Sequence, residues 1–158
     1  MSKNSKYGKN DRVVTSSGDA LLKLPVRLQG AELGRPVDLV IDLENMHVVG
    51  LHVRCGDKTQ RFLPLAAAAI SRDEITASST HALLNESDYY RKHGVSYREL
   101  RGTAVEVAGL RVGTLDDVVL RSNGDVTTVV VKSESGGLRR LRAERVRLTK
   151  RQRSDESQ

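Results

Sequence analysis

Tryptophan is absent, phenylalanine occurs once, and aromatic residues make up only 3% of the 158. A single large core built on aromatics is thereby excluded, because these side chains bury the most area per residue. Small cores of valine, leucine and isoleucine are expected instead. Cysteine occurs once, at Cys55, so no internal disulfide can form and a reducing compartment is expected. No stretch approaches the roughly 18 consecutive apolar residues that cross a bilayer as a helix. The opening MSKNSKYGKNDR has no apolar segment of the kind that directs secretion. These absences together point to a soluble, cytoplasmic protein.

Catalytic and metal-binding patterns are also lacking. His47 and His52 lie five apart on one expected strand and so point to opposite faces. His47 and Cys55 share a face but would sit about 26 Å apart along an extended chain. His81 and His93 read as surface residues, and no zinc spacing occurs. Asp116 and Asp117 are adjacent, which on a strand turns them to opposite sides and makes a poor acid–base pair. Asp117, like Asp38, is expected to accept hydrogen bonds from backbone amides at a glycine turn. There is no Gly-x-Ser-x-Gly elbow and no Gly-Lys-Ser/Thr phosphate loop. The expectation is a protein with no catalytic activity, no cofactor and no metal.

What the chain does have is charge at its ends and a repeat. The net charge is +6. Residues 1–12 carry Lys3, Lys6, Lys9 and Arg12 against Asp11, and residues 132–153 carry nine basic residues against Glu134 and Glu144. Such asymmetry suits an anionic partner, or simply a solvated face.

The repeat relates GAELGRPVDLVIDL at residues 30–43 to GLRVGTLDDVVLRS at residues 109–122. An offset of 79 pairs Ser17 with Ser96, Leu21 with Leu100, Val26 with Val105, Gly30 with Gly109, Gly34 with Gly113 and Asp38 with Asp117. After the turn near Asn45 and Asn123 the offset is 78, pairing Val48 with Val126, Leu51 with Val129, Leu63 with Leu141 and Ile70 with Leu148. Two copies indicate a duplicated domain and not a solenoid. Each copy reads as strands. Val37, Leu39, Ile41 and Leu43 alternate with Asp38, Val40 and Asp42, the period of a half-buried strand. Asn123-Gly124 predicts a two-residue hairpin turn, followed by return strands at 48–54 and 126–132 and third strands at 60–63 and 138–142. The glycine pairs are expected to form the tight link between the first two strands. PLAAAAI predicts a helical turn opened by Pro64, and a last strand is expected near 74–77 and, equivalently, 146–150.

Between the copies, Asn85 or Ser87 is expected to cap a short helix that Gly94 ends. Ser96 and Glu99 have capping-box spacing. Tyr89, Tyr90 and Tyr97 are expected to pack the two domains together. The residues predict a flexible basic tail over 1–16, a first domain over 17–79, a linker with a short helix over 80–95, a second domain over 96–151 and a flexible tail over 152–158.

A glycine and short strand followed by VGTLDDVVLRSNGDVTTVVV and RRLRAERVRLT resembles the PRC-barrel family. The second copy, about 101–151, carries the closer resemblance; the first, about 19–79, follows with GRPVDLVIDLENMHVVGLHV. The resemblance implies a mainly β fold, two small, strongly bent β-barrels in tandem, used as docking modules. It implies no catalytic residues. The expected function is a non-catalytic adaptor that docks a protein partner. The alternative is an RNA- or ribosome-associated assembly factor using the C-terminal basic stretch GGLRRLRAERVRLTKRQR. Stacking aromatics, which usually accompany single-strand binding, are missing from that stretch. On the third strand of the second copy, Arg140 and Arg142 share one face, and Arg139 and Leu141 share the other. The first copy has Phe62 and Pro64 where the second has Arg140 and Arg142, while Leu63 and Leu141 are retained as core. Arg140 and Arg142, helped by Arg145 and Arg147, are therefore the candidate partner-binding residues.

Overall fold

The computed structural model describes residues 15–85, 92 and 94–149. The fold is mainly β, with two curled sheets. The first contains β2 (Val26–Leu28), β3 (Ala31–Asp42), β4 (His47–Cys55), β5 (Gln60–Pro64), β6 (Ala68–Ile70) and β7 (Ile75–Ala77), in the order β5-β4-β3-β2-β7-β6. The second contains β9 (Ala104–Val107), β10 (Leu110–Arg121), β11 (Val126–Lys132), β12 (Leu138–Arg142) and β13 (Arg147–Leu148), in the order β12-β11-β10-β9-β13. A single 3-10 turn follows β5 at Leu65–Ala67 and β12 at Ala143–Arg145.

The bending comes from β-bulges, each of which adds one unpaired residue and increases local twist. In the long strand β3 the register slips between Pro36 and Asp38, leaving Val37 extra; in β10 it slips at Asp116. These positions are equivalent in the repeat. So are the bulges at Leu33 and Val112 and at Val49 and Thr127. The same three kinks therefore curl both sheets. They also break the strict alternation read from the sequence. Val40, expected on the polar side, is 3% exposed and follows buried Leu39. Leu43 is only partly buried.

The outer edges of β3 and β10 are each covered twice. Their first halves pair with β2 and β9. Their second halves take a strand from the other end of the repeat. β1 (Thr15–Ser17), which leads into the first sheet's residues, pairs with β10 of the second. β8 (Val95–Ser96), which leads into the second, pairs with β3 of the first. Each short strand continues into a single helical turn, α1 (Gly18–Leu21) or α2 (Tyr97–Leu100). Ser17 and Ser96 cap these turns, accepting from the amides of Ala20 and Glu99, as the capping spacing at Ser96 predicts. Leu21, Tyr97 and Leu100, all at most 1% exposed, are thereby buried in one continuous cluster with Leu39, Leu51, Leu115 and Val129. The separate small cores expected from composition are one core, because the exchanged segments bridge the sheets.

Three further expectations are corrected. The Asn123-Gly124 turn is longer than two residues. Gly124 N–H bonds Arg121 C=O at 2.8 Å, and Arg121 N–H bonds Asp125 C=O at 2.8 Å. Gly124 has a φ of 102°, the left-handed residue of a three-residue loop with a bulge. The strand at 74–77 does stand where 147–148 stands, but it runs the other way. Ile75 pairs with Val26 as Leu148 pairs with Val105, yet β7 is parallel to β2 where β13 is antiparallel to β9, and Ile70, the sequence counterpart of Leu148, lies in β6 one strand further out. Finally, the glycine pairs have two different roles. Gly30 and Gly109, with φ of 86° and 84°, make the tight link. Gly34 and Gly113 lie inside strands beside the bulges, where a Cβ would run into the backbone carbonyls of Arg54 and Lys132. Gly34→Ala is thus expected to cost on the order of 1–3 kcal/mol through overpacking. Arg54 is backbone there and cannot swing aside. A denaturation midpoint unchanged by Gly34→Ala would contradict this close approach.

Residues 1–14 and 150–158, which include the expected tails, lie outside the described residues. So do Ser87, Tyr89, Tyr90 and His93, and with them most of the expected linker helix. No helix among the described residues is long and apolar enough to cross a membrane.

Candidate functional site

β12 forms the edge of its sheet. Its residues Arg140 and Arg142 stand opposite Val130 and Thr128, and Arg139 and Leu141 stand opposite Val131 and Val129. Val129 and Val131 are fully buried, so Leu141 and Arg139 have the inward parity, and Leu138, Arg140 and Arg142 the outward one. Leu138 is 60% exposed, and Arg139, Arg140 and Arg142 are exposed as well. Arg145 lies on the following 3-10 turn, and Arg147 lies on β13 opposite Glu106. The four candidate arginines are therefore consecutive on a strand–turn–strand run, but β12 and β13 are opposite ends of the hydrogen-bonded order. Among the described residues, none of the four has a carboxylate within 4 Å; the ion pairs involve Arg27, Arg35, Arg61 and Arg101 instead. Unpaired guanidiniums keep their full charge and five donors for an external acceptor.

The corresponding face of the first sheet is built otherwise. Phe62, the counterpart of Arg140, is 1% exposed, with the His52 ring edge-on to it at 5.4 Å. The segment after β7 returns along the edge of β5. Phe62 N–H bonds Leu84 C=O at 2.9 Å, and Leu84 N–H bonds Phe62 C=O at 2.8 Å. Ala82, in the same segment, is 8% exposed. The edge of β5 is thus capped by the chain itself. The exchange of an apolar residue for an arginine tracks whether the strand edge is covered.

A second set of polar groups joins the sheets. Asp38, beside its bulge, accepts from the amides of Leu39 at 2.8 Å and Arg98 at 3.0 Å and from the Ser96 hydroxyl. Asp117 accepts from the amides of Val118 at 2.7 Å and Asp19 at 3.3 Å and from the Tyr97 hydroxyl at 2.6 Å. Both aspartates do bind backbone amides, as expected, but those of the exchanged helical turns and of the next residue, not those of the glycine turn. The bulges at Val37 and Asp116 aim them there. Burial, reinforced by the Asp117 carboxylate, pushes the Tyr97 phenol far above its ordinary range. Tyr97 therefore joins the two halves as the linker tyrosines were expected to. Gly18, its counterpart, leaves the space it fills: a Cβ on Gly18 would lie 2.8 Å from the Tyr97 ring.

The two hairpin loops also meet. Val48 N–H bonds Gly124 C=O at 2.8 Å, Val126 N–H bonds Met46 C=O at 2.9 Å, and His47 Nδ1 lies 3.1 Å from Asp125 Oδ1. The His47 ring, then Asn123, holds the Asp125 carboxyl below its usual range. An open cleft of about 640 Å³ runs beside these loops, with Glu44, Asn45, Arg121, Asp125, Arg142 and Glu144 among its walls. Its charges are of both signs and it holds no nucleophile with an adjacent base. Among the described residues no group of three His, Cys, Asp or Glu side chains is placed to hold a metal ion. Cys55 is partly buried, and burial raises its thiol pKa.

No family model matches the chain, and no curated protein matches it. The class that the fold defines is a mainly β protein of two curled sheets that exchange their leading strands.

Proposed function

We propose that this protein is a non-catalytic adaptor of two PRC-barrel-like domains in tandem, docking a protein partner through the outward face of β12. The observation that carries the reading is the asymmetry between equivalent edges. One is closed by the chain's own residues and lined by Phe62, and the other is, among the described residues, open and lined by arginines without carboxylate partners. A core shared by both sheets supports a rigid platform, and rigid elements make precise docking surfaces. The residues that bring charge to the platform are Arg140 and Arg142, with Arg145 and Arg147 on the continuing run.

Replacing these four arginines with serine tests it. All four are exposed and unpaired among the described residues, so each change is expected to move stability by no more than about 0.5 kcal/mol. Partner recovery from native extract should fall sharply with folding intact. Nuclease treatment separates the alternative. A role on RNA predicts loss of recovery with nuclease, and affinity falling with salt at a logarithmic slope near −0.7 per phosphate contacted on a single strand. Recovery that is unchanged by the substitutions would remove this face from the mechanism.

A further inference from the structure

We infer that the open edge of β12 takes an extended acidic segment of its partner as an added β-strand, with its backbone bonding the N–H and C=O of Arg140. This rests on the adaptor reading and specifies the chemistry of the occupant.

The geometry is drawn from the first sheet. β4 and β5 pair as β11 and β12 do, with Leu51 opposite Leu63 where Val129 stands opposite Leu141, and His52 opposite Phe62 where Val130 stands opposite Arg140. In that register the backbone of Phe62 points away from β4, and Leu84 bonds it on both sides. The same register turns the N–H and C=O of Arg140 away from β11. Among the described residues, β12 has no strand on that side. An exposed row of unpaired backbone donors and acceptors is a template for another strand. The first sheet shows an antiparallel segment seated on the matching position.

The chemistry of the occupant follows from the side chains. Leu84 stands opposite Phe62, whose ring is buried against His52. Its counterpart in the second sheet would meet Leu138, Arg140 and Arg142, one apolar residue and two guanidiniums on one face. Acidic side chains alternating along the added strand satisfy those arginines, and cross-strand pairs of opposite charge stabilise the pairing. A second copy of this chain is disfavoured as occupant. Two β12 edges brought together would set Arg139, Arg140 and Arg142 against one another, and like charges opposite one another are destabilising.

The test uses the full chain and a synthetic acidic heptapeptide that alternates glutamate with valine. Its controls are the same peptide N-methylated on alternate amides, a lysine–valine peptide, and poly-uridine RNA. The acidic peptide is expected to bind, and the amides of Leu138, Arg140 and Arg142 to gain protection from hydrogen exchange. N-methylation should weaken binding at least about tenfold, since it removes two or more backbone bonds. Arg140→Pro should do the same with the fold retained, because proline is tolerated on an edge strand where its missing N–H would face solvent. Arg140→Ala, which keeps the N–H, should weaken binding less than Arg140→Pro. The N-methylated peptide needs no change in the protein, so the inference is testable even if Arg140→Pro does not fold. Equal binding of the methylated and unmethylated peptides would overturn strand addition while leaving a charged docking face. Failure of the acidic peptide with partner recovery still sensitive to the four serines would overturn the acidic-strand chemistry alone. Binding of poly-uridine in place of the acidic peptide would overturn both this inference and the protein-docking reading.

Discussion

Residues 15–94 and residues 95–149, produced as separate fragments, are each expected to remain unfolded and to regain structure when mixed. The fragment 15–94 keeps β3 but loses β8 and α2, which lie along it at Val40 and Ile41. It also carries β1 and α1 with no β10 to join. Tyr97 and Leu100, at most 1% exposed, leave its core, and each such side chain contributes about 1.5–3 kcal/mol by burial. The fragment 95–149 loses Leu21, which is fully buried, and the strand beside Leu120. Both lose the bonds from the Val48 and Val126 amides to the Gly124 and Met46 carbonyls. A small domain has only about 5–15 kcal/mol of net stability, so losses of this size leave neither fragment folded. Circular dichroism and amide dispersion of each fragment, alone and mixed, measure it. Cooperative unfolding of either fragment by itself would show that the exchanged strands are dispensable.

Asp117→Ala is expected to destabilise the intact protein by about 2–4 kcal/mol. The substitution removes an acceptor for the α1 amide of Asp19, a capping interaction worth about 0.5–2 kcal/mol. It also strands the Tyr97 hydroxyl in a residue with no exposure, at a desolvation cost of about 1–3 kcal/mol. Tyr97→Phe removes the hydroxyl along with its need for a partner and should cost less. The double substitution should therefore cost clearly less than the sum of the two. Strict additivity in denaturant titrations would mean that the hydroxyl does not depend on Asp117. Burial of Tyr97, reinforced by Asp117, also sets an alkaline limit. The folded-state pKa of Tyr97 is raised above its ordinary value of 10.0. The stability it confers is complete below that value and is lost as pH rises past it, because the unfolded chain then releases a proton that the folded chain retains. Tyr97→Phe should flatten the stability curve above about pH 10.

The duplicated strands, the turn at Gly30 and Gly109 and the cap at Ser96 were legible because each depends on local chemistry: period, permitted φ, and a hydroxyl three residues before an amide. The repeat carried the equivalence of Leu51 with Val129 and of Ile41 with Leu120, and all four are buried. The exchange of β1 and β8 was not legible. Residues 15–17 and 95–96 are too short for a period to be read, and nothing in them distinguishes pairing with their own sheet from pairing with the other. A hint lay in the two aspartates. Asp38 and Asp117 recur at the same place, and so do the serines that open the helical turns, which marks a shared contact without saying which half supplies which partner. The bulges at Val37 and Asp116 were hidden because one added residue looks like imperfect alternation. The open edge at Arg140 was visible as a switch from apolar to basic. That Leu84 covers its counterpart follows only from the path of the chain after β7, which has no equivalent in the second half.

The placement of Thr15 beside Arg121 also orders events during synthesis. Domains emerging from the ribosome generally fold from the N-terminus onward, but here the first of the described strands to emerge must wait for nearly the last long strand before it has its partner. The second half of β3 likewise keeps one edge uncovered until Val95 and Ser96 follow it out. Loop closure over such separations is costly before any contact rewards it. The first sheet can therefore be covered as soon as Val95 and Ser96 emerge, whereas β1 stays unpaired until β10 follows and joins it to the second sheet.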